Sequence, residues 1–164
     1  METPLMPPLN SQSDYPDYLV PVSEPRMGFK FGSNLQQHVQ VSEATDLVER
    51  FAAGLETCSS SYLNHAVSAK GIAYDRGCIV ILVRPKRGEI VEKFTYDTVV
   101  QALHGYAQWL HERREETITR ARVNIWVTEY EVMGPQLVYY GSMGFFDTPT
   151  RGGTVDAGSL LSVE

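Results

Sequence analysis

Apolar Val123, Ile125 and Val127 alternate with Asn124, Trp126 and Thr128, and the alternation resumes from Leu137 to Phe146 after Gly134-Pro135 interrupts it. A period of two puts successive side chains on opposite faces. The pattern therefore predicts two long antiparallel strands around one tight turn, with an apolar face that needs cover. Two upstream stretches of helical period can supply that cover. Behind Ser42, a residue suited to capping, Ala44, Leu47, Val48, Phe51, Leu55, Cys58 and Tyr62 fall on one face, with Glu43, Glu49, Arg50 and Glu56 off it. Gly54 weakens the middle of this helix by about 1 kcal/mol relative to Ala, and Ser59 to Ser61 is expected to fray its end. Behind Thr95, Val99, Leu103, Tyr106 and Leu110 form a second stripe, broadened by Val100, Ala107 and Trp109. The charged run Glu112 to Glu116 carries that helix out into water.

Tyr18 to Val22 reads as an extended edge segment, because Pro21 cannot donate to a ladder. Met27, Phe29 and Phe31 alternate with Gly28 and Lys30, which predicts a strand from Arg26 to Phe31. Cys78 to Val83 is a continuous apolar run rich in β-branched residues, the pattern of a central strand buried on both faces. Pro85 ends it, and Lys86-Arg87-Gly88 can turn the chain into a second strand, Glu89 to Phe94. Asn64 to Gly77 shows no clear period. Gly141 and Gly144 point to a bulge or a close backbone approach in the last strand. The order β-α-β(β)-α-β-β predicts an α+β domain: one antiparallel or mixed sheet of 4–5 strands with two helices packed on one face. The domain is expected over residues 18–146. A disordered or loosely draped N-terminal segment (1–17) and a flexible tail (147–164) are expected on either side.

The 164-residue chain carries a formal net charge of -6. That balance argues against a general phosphate-binding surface and hence against nucleic acid as a partner. No apolar run is long enough to span a membrane, and the start lacks the basic and apolar regions of a secretory signal. The expectation is an acidic, soluble protein that is cytoplasmic by default, with secretion left open. Cys58 and Cys78 are buried thiols in a reducing compartment. In an oxidising one they could form a disulfide contributing about 3 kcal/mol in the chain-entropy model.

Candidate chemistry is sparse. His104 and His111 are seven apart, about 10 Å along a helix, too far to share one metal ion. Gly141-Ser142-Met143-Gly144 lacks the spacing of a nucleophile elbow, and no helix follows it. No phosphate loop or dinucleotide fingerprint occurs. No catalytic residue, metal ligand or cofactor is assigned. Arg84, Lys86 and Arg87 form a small basic turn that could contact an anion, since Arg grips carboxylates and phosphates bidentately. Trp126, Tyr130, Tyr139 and Tyr140 are the candidate contact set. If helices cover the valine face, Trp126, Thr128 and Tyr130 face outward as an aromatic strip, and such strips mark interaction surfaces.

Tyr18-Leu19-Val20-Pro21, Phe29-Lys30-Phe31-Gly32, the Cys78 to Pro85 strand, Phe94-Thr95-Tyr96 leading to Ala102-Leu103-His104-Gly105-Tyr106, and Gly141-Ser142-Met143-Gly144-Phe145 follow one another in order. In this series the chain resembles small uncharacterised fungal α+β proteins, often secreted and effector-like, with no assigned activity. The resemblance implies a fold and no catalytic residue. The expected function is a non-catalytic protein-interaction module that meets an unknown protein partner or associates with itself. The alternative is a small-molecule binder or small enzyme using a cavity between sheet and helices, lined by Tyr106, Trp126, Tyr130 and Tyr140.

Overall fold

A computed structural model of the chain describes residues 15–32, 37–87 and 93–148. In chain order its elements are β1 (Tyr18–Leu19), β2 (Met27–Phe31), β3 (His38–Gln40), α1 (Val41–Glu56), α2 (Ser60–Leu63), β4 (Ile72–Arg76), β5 (Ile79–Pro85), α3 (Tyr96–His111), β6 (Thr117–Thr119), β7 (Val123–Glu131) and β8 (Gly134–Asp147). The fold is α+β. Its main sheet has six strands rather than four or five, in the order β1-β2-β7-β8-β5-β4, and β3 and β6 form a separate two-stranded ladder. All of these pairings are antiparallel.

Register explains the layering. Met27, Phe29 and Phe31 stand opposite Val127, Ile125 and Val123. Val123 stands opposite Met143, and Ile81 and Val83 opposite Phe145 and Met143. These residues share one face, are buried, and join one core with Leu47, Val48 and Phe51 of α1 and Leu103, Tyr106 and Leu110 of α3. The two helices pack against each other on that face. At roughly 25 cal/mol per Å² of apolar surface removed from water, this shared face is the main favourable term in folding. Central β5 is buried on both sides. Its outward Val80 and Leu82 form a second small cluster with Ala73 and Phe146.

Several boundaries differ from the sequence expectation for local reasons. α1 starts at Val41, and its N-cap Gln40 makes no side-chain bond. The Val41 N–H instead donates to the Glu116 carbonyl at 2.8 Å, so the β3–β6 ladder does the work expected of Ser42. α1 ends at Glu56, where the Thr57 hydroxyl donates to the Gly54 carbonyl. Cys58 and Tyr62 therefore leave its stripe, and Ser59 caps a separate short helix by accepting from the Tyr62 N–H. Thr95 caps α3 as expected. The unreadable stretch before Gly77 contains β4, which pairs with β5 around a two-residue turn at Gly77-Cys78. The expected hairpin partner, Glu89 to Phe94, falls largely outside the described residues, as do residues 1–14 and the tail from 149 onward. Of the N-terminal segment expected to be loose, Tyr15 to Asp17 are described. The Tyr15 ring packs edge-on against Phe31 and Trp109, and its hydroxyl accepts from the Thr119 N–H at 3.0 Å. Both cysteines are free thiols, Cys78 exposed and Cys58 half-buried.

Gly141 supports the close-approach reading. A Cβ there would run into the Arg84 carbonyl of the neighbouring strand and lie 3.1 Å from Pro85 Cα and 3.2 Å from Phe94 Cζ. Backbone cannot yield as a flexible side chain can, so Gly141→Ala is expected to destabilise the protein by about 1–3 kcal/mol. Gly54→Ala, where nothing lies within 4 Å of the added methyl, is expected to stabilise it by about 1 kcal/mol through helix propensity. Denaturant titration of the two variants against the parent measures both.

Candidate functional site

The pairing of β2 with β7 stops at Met27 and Val127, followed by one bond from the Thr128 N–H to the Arg26 carbonyl. The pairing of β5 with β8 stops at Pro85 and Gly141, followed by one from the Lys86 N–H to the Tyr140 carbonyl. Farther out, Glu129, Tyr130 and Glu131 face Gln136, Pro135 and Gly134. Among the described strands nothing flanks this outer part of the hairpin, which stands as an arm beyond the sheet. The turn is Val132-Met133, not Gly134-Pro135, and Gly134 sits at φ 111°, a left-handed conformation that glycine adopts without strain. Tyr130, Val132 and Met133 are 75%, 106% and 91% exposed. The loop from Val20 to Met27 reaches the same end of the sheet through the Arg26–Thr128 bond, and its Val22 is 91% exposed.

A bulge sets the arm's orientation. Ile125 stands opposite Gly141, yet Trp126 stands opposite Tyr139, so Tyr140 is an extra residue in β8. An inserted residue reverses the alternation locally. Tyr139 therefore stays on the outer face beside Trp126, with ring centroids 5.4 Å apart, and its hydroxyl donates to Asn124 at 3.3 Å. Tyr140 turns to the helix side, is buried, and donates a short hydrogen bond to the Glu129 carboxylate. Glu129 also accepts from Lys93 Nζ at 3.3 Å through both oxygens. This Tyr140–Glu129–Lys93 chain ties the base of the arm to the segment leading into α3.

The expected aromatic strip is thus only partly outward. Tyr130 is exposed, Trp126 and Tyr139 are half-buried, and Thr128 is buried. Tyr140 lies on the helix side, which removes it from the outer strip, and Tyr106 lies between sheet and helices. The Tyr106 ring packs against Phe29, Trp109 and Phe145, so this part of the layer interface is filled by side chains rather than open as a cavity. Val132 and Met133 were missing from the expected set. Their signal is two apolar residues at a turn, where solvent normally selects polar or glycine residues.

Arg84 lies on the outer face, in a row with Ser142, Asn124 and Lys30 across four strands. Burial lowers its affinity for its proton, and the cations Arg122 and Arg87 lower it further. Lys86 and Arg87 are exposed where β5 ends. None of this basic set reaches the arm's tip. His104 and His111 each meet a carboxylate of α1: His104 lies 3.1 Å from Glu56 and His111 2.8 Å from Glu49. Equal seven-residue spacing on the two antiparallel helices makes them two rungs of one ladder, both largely exposed. The rung at His111 borders an open groove of about 680 Å³ that also includes Asp46, Arg113 and Glu116. A smaller depression of about 220 Å³ is lined by His38, Glu43, Cys78, Arg120 and Asp147, with Arg120 and Asp147 paired at 2.9 Å. Among the described residues no three His, Cys, Asp or Glu side chains gather as metal ligands, and no helix is long and apolar enough to cross a membrane. Comparison with protein-family models, curated proteins and solved structures finds no match to this chain.

Exposed ion pairs are worth little because solvent screens them. His104→Ala and His111→Ala are each expected to cost less than about 1 kcal/mol by thermal or denaturant unfolding. Alkaline pH acts through the tyrosines. Burial and the bond to Glu112 push Tyr18 up to about 12, while the bond to Tyr62 and burial push Tyr96 up to about 12. Burial raises Tyr106 and Tyr140 as well. An unfolded tyrosine ionises near pH 10, so the folded state keeps protons that the unfolded chain releases. Stability from these groups is complete below about pH 10 and falls as pH rises toward about 12. Tyr140→Phe is expected to cost about 1.5–3 kcal/mol at neutral pH, the range for a bond to a charged acceptor, and to flatten the alkaline decline. Denaturant midpoints collected across this pH range test both.

Proposed function

We propose that the protein is a non-catalytic protein-interaction module and that the β7–β8 arm is its contact element. The observation that carries this reading is the exposure of Tyr130, Val132 and Met133 together at one hairpin tip, with Val22 at the same end of the sheet. Large apolar side chains gathered on a surface incur a hydration cost that contact with another protein removes. The arm contributes little to the core, so packing among the described residues does not account for them. A tyrosine at the tip adds a rigid, amphipathic contact of the kind enriched at interfaces. Support for a ligand cavity between the layers is weaker, because Tyr106 fills the space expected to line it.

Tyr130→Ser, Val132→Ser and Met133→Ser replace exposed side chains, so each is expected to change stability by no more than about 0.5 kcal/mol. The triple variant, used as bait in an extract of the cells that make the protein, is expected to lose partners the parent captures. Identical sets of captured proteins from the two baits contradict the assignment of the arm.

A further inference from the structure

Resting on that reading, we infer that the arm's partner is a different protein presenting an apolar pocket rimmed by lysine and arginine. Glu131 closes the hairpin at the tip, next to Val132. Glu24 is held to α3 by reciprocal hydrogen bonds with Gln101, whose amide also donates to Asp97. The three acids are exposed at the end of the sheet where Val22 emerges. Among the described residues the cations at this end are Arg26 and Lys93, and Lys93 is engaged by Glu129. Three exposed acids against Arg26 thus make an acidic collar at the arm's end of the sheet. Lys86 offsets it little. Lys86 bonds beside Tyr140, six residues behind Gly134, which is about 20 Å at strand rise and about twice the Debye length at ordinary salt.

Charge sign separates the occupants. A bilayer surface is neutral or anionic, and proteins that insert apolar tips into it surround them with Lys and Arg rather than Glu. A second copy of this chain would have to offer a matching pocket. Its larger groove carries Asp46, Glu49, Glu115 and Glu116 against His111 and Arg113, the wrong sign for an acidic collar. In its smaller depression Arg120 is already paired with Asp147. A basic-rimmed apolar pocket on another protein satisfies both the oily tip and its charged surround.

The test places a photo-crosslinking amino acid at Met133 in the full chain, with a second probe at exposed Asn64 as control, in an extract of the native cells. The expected result is a discrete adduct from position 133 alone. Its yield should fall about tenfold as salt rises from about 50 to about 500 mM, and should fall similarly when Glu131→Lys and Glu24→Lys are introduced. An adduct indifferent to salt and to charge reversal overturns the basic rim while leaving the arm as contact element. A homodimeric adduct, or co-flotation of the purified protein with phosphatidylcholine vesicles, overturns the choice of partner. No adduct at 133 overturns the contact role and this inference together.

Discussion

One extra residue in β8 decides which way the tyrosines face, and the arm's anchoring follows from it. Without the bulge, Trp126 would pair with Tyr140, and the Tyr140 hydroxyl would stand on the outer face. With it, Tyr139 shields one side of the hairpin beside Trp126 and Tyr140 reaches Glu129 on the other. Glu129 is 19% exposed, and its carboxylate loses much of its hydration there. The phenol and the Lys93 ammonium replace water as its partners, which makes the network costly to break at any one member. Gly141, the next residue, lets β8 return to close contact with β5 where the bulge ends.

From that anchor the hairpin divides into two parts with different physics. Its inner part is the middle of a sheet covered by α1 and α3, where Ile125 and Val127 have no contact with solvent. Its outer part gains little from burial, yet ordering it costs backbone entropy of about 1–2 kcal/mol per residue. The paired backbone and the Glu129 network offset some of that cost. The apolar tip offsets none of it while water surrounds it. A local structure that is ordered, apolar and unused by the core of the described residues is what the proposed contact role rests on.

The helices and the central strands were legible because their periods are strong. The Leu103 stripe, the continuous Cys78 to Val83 run and the Val123 alternation each leave one packing solution. Of the two strand glycines, Gly141 pointed correctly to a close approach beside the bulge, whereas Gly144 meets only an ordinary contact, 3.8 Å from the Phe146 ring. What stayed hidden depended on partners remote in sequence. Ile72 to Arg76 is too short and mixed to read as a strand until β5 pairs with it. Thr117 to Thr119 becomes a strand only against His38 to Gln40. The candidate site was half legible for the same reason. Plain alternation places Trp126 and Tyr130 on the outer face, but no local pattern locates a bulge to one residue, so Tyr139 and Tyr140 could not be told apart. Placing the turn at Gly134-Pro135 hid Val132 and Met133 within the strand pattern.

Methionine oxidation offers the most direct test of a covered tip, with internal controls. Met133 is 91% exposed, whereas Met27 and Met143 are each 1% exposed. In the purified protein, brief peroxide treatment followed by mass spectrometry should oxidise Met133 rapidly and spare the other two. In intact cells given the same treatment, Met133 should be protected while the core methionines stay unchanged. Equal oxidation of Met133 in both settings would contradict a partner seated on the arm, and protection already present in the purified protein would contradict an exposed tip.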